Sequence, residues 1–539
     1  MPRGATRLFD FGVTALLLVA AIGCSSSNIK APPDSGASGG GDLAQSTGVS
    51  DMSQSPASGD AAPPADMTLD PAIELMHEHA DTAIATLMLN FWPTLAANTT
   101  VFDWSYAHYW DALVDAAERR GDNAYSGTIL MFYQLQNQRG WIDDYYDDEN
   151  WITLSLLHSY SLTNDPMYLN QAKFVFADIM MGWDTTCCGA NPGGIWWHKP
   201  NDSKVTAINA GAVISASELY KYTQDTTYLD FAKKTYAYWS TYMVDQTSGH
   251  VYDGISTAGV INTTWTFTYN EGLFIGAILA LHSVTNDDTL IPMAHKVAGF
   301  MMVTEIEKLA GGTILSDGKC SGDGQMFKGV GARYLEQLYA FDPTHTEYRD
   351  FLLRSGTAAW TLARDPASGD ISCDWMGPFD ATTGDVGSLG SASVGLAAAA
   401  KALGTAAPRP ALQYEAEEGH LHGVGLEATH SGFSGWGYLA GWGGDGQSVD
   451  ILVDAPKAGA YTATMRYATG DAASRSISVN GTNVNPTLAF PSTGSYDAYA
   501  TVQQALTLTA GRNTITVALS TAAGNGGYLN LDQLQLKAN

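Results

Sequence analysis

Positive charge is scarce in this chain: 27 Lys and Arg stand against 55 Asp and Glu, for a formal net charge of −28. So acidic a surface repels phosphate backbones and anionic headgroups, which excludes nucleic acid and argues against a polyanionic substrate. Charge of either sign is thin, at 15% of residues, so a local cluster of it carries information. The apolar run Phe11–Ile22 falls short of the roughly 20 residues that a membrane-spanning helix needs. Cysteine is rare, at 5 in 539 residues, and no His or Cys spacing reads as a zinc motif.

What that short run does match is an export signal. Arg3 and Arg7 precede it, and it closes on Ala21-Ile-Gly-Cys24, followed by Ser25-Ser-Ser27. Residues 1–24 resemble a bacterial lipoprotein signal peptide, with Cys24 lipidated as the mature N-terminus; ordinary signal cleavage nearby is the alternative. Residues 25–70 are Ser, Gly, Ala, Pro and Asp with almost no large apolar side chains, and read as a flexible linker. The expected location is outside the cytoplasm, lipid-anchored at the bacterial cell envelope or surface, with the membrane touched only through the anchor. Four further cysteines in an exported chain permit disulfides. Cys320–Cys373 is the expected pair, whereas Cys187 and Cys188 are neighbours, between which a bond is uncommon.

Length beyond the linker suggests more than one domain, and the hydrophobic period changes once. Residues 71–405 carry apolar residues at helical spacing, which predicts helices near 71–92, 108–120, 123–138, 149–163, 166–182, 204–223, 226–243, 270–285, 288–309, 326–341, 345–363 and 388–403. Short polar turns at 120–123, 163–166 and 223–226 contrast with long Gly- and Trp-rich loops at 183–203, 244–268, 310–325 and 364–387. Alternating short and long connections predict six hairpins closed into an (α/α)6 toroid, with the long loops building a cleft on one face; an open α-solenoid is the alternative. Residues 411–539 alternate apolar and polar with period two, as in Ser448–Val453 and Thr514–Leu519, and predict an all-β jelly-roll sandwich.

Five of the scarce carboxylates fall within Trp141-Ile-Asp-Asp-Tyr-Tyr-Asp-Asp-Glu-Asn-Trp151, among four aromatic residues. Glycoside hydrolysis needs this mixture, two carboxyl groups for proton and nucleophile work and flat apolar faces for the sugar. The plain alternative is a helix start, where acidic side chains complement the dipole and cap free N–H groups.

Several separated motifs place residues 75–404 in a resemblance to glycoside hydrolase family 76, the endo-α-1,6-mannanases. They are Tyr146 to Trp151 with its paired aspartates, Gly193-Gly-Ile-Trp196-Trp197, Lys204 through Asn209, Tyr269-Asn270-Glu271-Gly272 and Phe327-Lys328-Gly329 with Arg333. Glu271 stands where the family pattern has Gln. The resemblance implies retention, with Asp147 as nucleophile, Asp148 as acid/base and no cofactor for catalysis. Side chains adjacent on a helix diverge by about 100°, so both can border one sugar ring if the pair opens an inner helix. Asp143, Asp144 and Glu149 are read as loop, cap or support. Trp151, Trp196 and Trp197 are candidate stacking rings, with one of the last two expected to be exposed. Asn209, Tyr269, Asn270, Lys328 and Arg333 are candidates for binding substrate, with helix packing as the alternative.

Residues 412–537 resemble the family 35 carbohydrate-binding modules, with family 6 close behind. The resemblance rests on Tyr414-Glu415-Ala416-Glu417, Ser434-Gly-Trp-Gly-Tyr438, Gly441 through Gly446, Gly511 through Ile515 and Asn530-Leu-Asp532. It implies a structural Ca2+ with oxygen ligands from Glu415, Glu417 and Asp532. The sugar site is expected among Trp436, Tyr438, Trp442 and Asn525. The expected partner is a neutral α-mannan polysaccharide, and the expected state is a monomer. Transglycosylation on α-mannosyl glycans and non-catalytic glycan capture are the alternatives to hydrolysis.

Overall fold

Thr163-Asn164-Asp165-Pro166 ends one helix and begins the next within four residues. Asn164 takes the left-handed conformation (φ 53°), which stops the first helix. The Asp165 carboxylate accepts the Met167 N–H at 2.9 Å, and Pro166 sits in the first turn of the second. The same device recurs at Gln224 with Asp225 and at Asn286 with Asp287, whose carboxylates accept the Thr227 and Thr289 N–H groups. Each such cap is worth about 1 kcal/mol.

The computed structural model describes residues 71–539 apart from 99–101, 103, 122–123, 191, 319, 407–411 and 436. The expected signal peptide, Cys24, the linker and Trp436 therefore lie outside the described residues. Twelve α-helices are described: α1 Pro71–Ala97, α2 Ser105–Arg120, α3 Ser126–Arg139, α4 Tyr146–Thr163, α5 Pro166–Met181, α6 Thr206–Thr223, α7 Thr226–Tyr242, α8 Thr268–Thr285, α9 Ile291–Thr304, α10 Phe327–Phe341, α11 Thr346–Thr361 and α12 Val386–Leu403. The even-numbered helices pack each on the next and α12 closes on α2, while the odd-numbered ones lie outside them. The result is a closed (α/α)6 ring. One expected helix is too long: 288–309 stops at Thr304, because Ile306–Leu309 pairs antiparallel with Gly312–Leu315. Ile306 and Leu309 fit helical spacing, but the Gly311-Gly312 turn between alternating segments favours a hairpin.

Strands run from Gln413 to Ala538 in two antiparallel sheets. One has the order 495–508, 459–469, 530–538, 438–440, 425–427, with 413–415 also on 530–538. The other has the order 482–490, 473–479, 511–518, 448–455, 420–422. Ile451, Val453, Ile477 and Val517 from the second sheet share one core with Met465, Leu531 and Leu534 from the first. Helix α3 carries the β-domain: Leu421 and Leu426 pack on both cores, and the Leu421 N–H meets the Met131 sulfur at 3.1 Å. Gly127 is required there, since a Cβ would lie 2.4 Å from the Gly419 carbonyl carbon.

Candidate active site

The inner helices all start on one face of the ring, and the long loops enter them there. Their aligned N-termini make that face electropositive and favour carboxylates, despite the acidity of the chain as a whole. The segment before α4 is clamped to the Trp-Trp loop: the Tyr146 N–H donates to the Trp197 carbonyl at 2.9 Å, and the Lys199 N–H donates to the Asp144 carbonyl at 2.8 Å. Asp143 turns its carboxylate onto the Tyr145 N–H at 2.9 Å.

Glu149 is fully buried, its Oε1 accepting the Asp143 N–H at 3.0 Å and Lys199 Nζ at 2.8 Å. Burial pushes its carboxyl up to about 8, with Lys199 pulling the other way. Lys199 also holds Asp178 at 2.7 Å. Asn150 accepts the Ser215 hydroxyl at 2.8 Å and abuts Gly211 on α6, where a Cβ would come within 2.3 Å of its Nδ2. Asp143, Glu149 and Asn150 thus fix the start of α4. Asp147 and Asp148 occupy its first turn, Asp147 half-buried and Asp148 8% exposed.

Around this turn stand aromatic rings from the neighbouring helix starts. Trp151 packs one turn deeper, its ring 4.6 Å from His108 and 6.1 Å from Trp104. Tyr145 stacks on His198 at 4.2 Å and meets Trp197 at 5.1 Å. Phe327 lies 4.4 Å from Tyr269, and Trp265 is 48% exposed at the loop before α8. The Tyr269 hydroxyl donates to Asp253 at 2.8 Å and Asn270 Nδ2 reaches the same oxygen at 3.3 Å. Burial first, then the charges of Asp253 and Asp147, hold the Tyr269 phenol well above its ordinary range, so this ring stays a neutral donor to Asp253.

Trp196 and Trp197 are both half-buried, so neither is the exposed ring that was expected. Trp196 packs under Lys204, whose ammonium lies 4.5 Å from its ring centre, and Lys204 in turn binds the Cys187 carbonyl at 2.6 Å and Asp184 at 3.0 Å. Cys187 and Cys188 form a disulfide within this loop, against the expectation for neighbouring cysteines, and Cys320 and Cys373 form the other.

Two substrate candidates are instead framework. Asn209 is fully buried and uses its amide on the Ile195 N–H and carbonyl and the Val205 carbonyl, which fastens the Gly-Gly-Ile-Trp loop. Arg333 lies inside the ring, donating to Asp111 at 3.1 Å and through two nitrogens to Asp115. His158 bonds the other Asp111 oxygen at 3.0 Å, so α2, α4 and α10 are tied by charge. Lys328 is 2% exposed, its Nζ 3.5 Å from the Cys373 sulfur, beside a cavity of about 570 Å³ also lined by Asp374 and Phe379. Burial lowers its pKa, and Asp317 opposes that.

Glu271 is fully buried, its Oε1 accepting the Val251 N–H at 2.9 Å. Its other neighbour is the buried carboxyl of Glu305, and burial of the pair holds both above the ordinary carboxylate range. Glu271 is thus a framework residue whose raised carboxyl keeps its proton at neutral pH. Asp253, Trp265, Trp104 and Glu305 escaped the sequence reading. The only signal for Asp253 was an Asp-Gly pair inside a loop.

In the β-domain three expected sugar residues are internal. Tyr438 is fully buried, its hydroxyl within 3.0 Å of Thr429 Oγ1 and accepting the His430 N–H at 3.1 Å. Trp442 is 3% exposed, with Nε1 on the Leu439 carbonyl and the Arg475 guanidinium 4.5 Å from its ring centre. Asn525 bonds the Ser520 N–H and the Pro486 carbonyl, closing its own loop. Arg475 also donates to the Gly526 and Gly527 carbonyls, and the next residue, Tyr528, is 63% exposed. Glu415 and Asp532 both accept the Ser434 hydroxyl, at 2.7 and 3.0 Å, and Glu417 accepts the Gly437 N–H at 3.2 Å. Three carboxylates thus converge on the 434–437 turn, with Arg466 paired to Asp532.

Comparison with known proteins adds to this geometry. The profile of glycosyl hydrolase family 76 matches residues 76–412, and that of carbohydrate binding module family 35 matches residues 412–539. A putative mannan endo-1,6-alpha-mannosidase of Schizosaccharomyces pombe is 24% identical over 326 residues, which cover 55% of this chain and 72% of that protein. A mannan endo-1,6-alpha-mannosidase of Saccharomyces cerevisiae is 32% identical over 134 residues, 23% of this chain and 29% of that protein. Among solved structures, an alpha-1,6-mannanase from a Salegentibacter species matches at 27% identity and a TM-score of 0.55, covering 61% of this chain and 99% of that one. That structure is of a variant made inactive by replacing two consecutive aspartates with asparagine, in complex with alpha-1,6-mannotriose.

Proposed function

The chain belongs to glycosyl hydrolase family 76, and from that premise we propose that it is a retaining, endo-acting hydrolase of α-1,6-mannosidic linkages, with Asp147 as nucleophile and Asp148 as acid/base. The observation that carries this is the adjacent aspartate pair in the first turn of α4, ringed by aromatic side chains at the electropositive face. The relative inactivated at two consecutive aspartates supports it.

The Asp147 carboxylate attacks the anomeric carbon while Asp148 gives its proton to the departing glycosidic oxygen. A mannosyl ester forms on Asp147 and the leaving chain departs as an alcohol. Asp148 then takes a proton from water, which displaces the ester oxygen and restores the starting configuration. Carboxylates side by side favour one shared proton, which is the state the first step needs. Tyr269 keeps its phenol proton on Asp253 beside the site, and Trp197 and Trp265 offer ring faces to sugar.

The β-domain is a carbohydrate-binding module, and its two antiparallel sheets support a jelly-roll reading. Tyr528 is its sugar platform, buttressed from below by Arg475 and Trp442. Glu415, Glu417 and Asp532 suit Ca2+, being three oxygen donors that converge on one turn, although Arg466 already neutralises part of that charge. An N-terminal lipid anchor on Cys24 and a flexible linker place a monomeric enzyme at the cell envelope, where the module raises its effective concentration on neutral mannan.

The test is digestion of unbranched α-1,6-mannan by the wild type, Asp147→Asn and Asp148→Asn. Internal cleavage by the wild type alone is expected, and full activity in either variant refutes the assignment. Longer products with an added acceptor oligosaccharide would instead select transglycosylation. Mannan binding without cleavage by the wild type would select capture.

A further inference from the structure

We propose that His295, Asp342 and His345 form a zinc-binding site on the face of the ring opposite the catalytic pair. His295 lies in the second turn of α9, and Asp342 and His345 flank the turn joining α10 to α11. Inner helix α10 starts at the catalytic face, so its C-terminal turn lies at the other. The His295 and His345 Nε2 atoms stand 3.6 and 3.7 Å from Asp342 Oδ2, and the three atoms lie within 4.8 Å of one another. Both separations exceed a hydrogen bond, the spacing of atoms that share a third partner. Ligand atoms on a tetrahedral zinc, each about 2.0–2.1 Å from the metal, stand roughly 3.4 Å apart, and the two imidazoles, stacked at 4.2 Å and 28°, turn out of that stack to bring both lone pairs onto one ion.

The outer contacts favour the same reading. His345 Nδ1 lies 2.7 Å from Glu347 Oε1, and an ionised carboxylate only accepts, so Nδ1 carries the proton and Nε2 keeps its lone pair for a metal. His295 Nδ1 lies 2.9 Å from the Tyr348 hydroxyl, a partner that accepts from Nδ1–H when Nε2 is the ligating atom. Asp342 Oδ1 is occupied by the Thr344 N–H at 3.2 Å and its hydroxyl at 2.6 Å, which aims Oδ2 at the two imidazoles. Two imidazoles and one carboxylate, each with an oriented outer partner, suit Zn2+ better than Ca2+ or Mg2+.

A second cluster of the same composition, His420, His422 and Asp450, lacks this arrangement. There His422 Nε2 bonds directly to Asp450 Oδ2 at 2.9 Å, which uses the ligand atoms on each other. It serves as the internal control.

The experiment is calorimetric titration of the chelator-stripped full chain with ZnCl2, repeated with CoCl2 for the visible absorption of a tetrahedral site, alongside thermal melts. One zinc equivalent is expected in the wild type and in His422→Ala, with a higher melting temperature on adding zinc. His295→Ala and His345→Ala should each weaken uptake at least tenfold and abolish the thermal shift, and His345→Gln serves if an alanine variant fails to fold. Zinc uptake unchanged in the His295 and His345 variants, uptake lost in His422→Ala, or none in the wild type overturns the proposal.

Discussion

In the helical ring, Trp104, Tyr145, Phe267 and Phe327 stand just ahead of, or at, the start of an inner helix, and each is half-buried. In the β-domain, Tyr438, Trp442, Tyr461 and Tyr467 are all at most 3% exposed, and among the described residues the most exposed ring, Tyr528 at 63%, comes from a loop. The two regions use aromatic residues for different ends. Rings such as Trp110, Phe274 and Tyr334 fill the middle turns of inner helices, and the four at the helix starts are the half-buried ones. A sandwich has a flat interior that accepts rings along a strand, and one residue of register decides whether a ring faces in or out.

The difference is sharpest where substitution separates stability from function. Trp442→Ala removes a ring that packs under Arg475, and is expected to cost about 3–5 kcal/mol and to melt the module ahead of the ring in scanning calorimetry. Arg333→Met leaves buried Asp111 with His158 alone and half-buried Asp115 without its guanidinium, and should destabilise the helical ring by about 3 kcal/mol. Were Arg333 a substrate contact, the same change would lower turnover and leave the melting temperature alone.

Glu271→Gln should act through pH. Folding raises the Glu271 carboxyl from the ordinary value of about 4.3 to about 8. Below the lower value both states are protonated and the contribution to stability is fully present. Between the two the folded chain keeps a proton that the unfolded chain has lost, so stability declines by up to about 1.4 kcal/mol per pH unit, and it levels off above the upper. Denaturant melts from pH 5 to pH 9 should show that decline in the wild type and a flatter profile in Glu271→Gln. A smaller effect belongs to Tyr528→Ala, which should change stability by about 0.5 kcal/mol or less while weakening retention in mannan-containing affinity gels. Equal destabilisation by Tyr528→Ala and Trp442→Ala would erase the distinction between platform and core.

The helices were legible because their punctuation is local: an Asn or Gln in the left-handed region and an Asp cap fall within one tetrapeptide. The acidic start of α4 was legible because charge is rare elsewhere in the chain. Asn209 and Arg333 were misplaced because a polar residue at a helix start reads alike whether it faces sugar or a loop carbonyl. Tyr438 and Trp442 were misplaced because glycine-flanked aromatics suggest an exposed loop, whereas Tyr438 opens a buried strand and Trp442 turns inward just after it. Asp253 under Tyr269, Glu305 against Glu271 and the His295–Asp342–His345 cluster depend on distant elements meeting, and no spacing along the chain encodes that.

The proposed double displacement at Asp147 and Asp148 fixes the stereochemistry of the first product. Proton magnetic resonance of unbranched α-1,6-mannan during the first minutes of digestion reads it directly. New reducing ends should appear first as the α-anomer, and the β-anomer should grow in only by later mutarotation. A β-anomer formed first, or no new reducing end at all, would contradict the account.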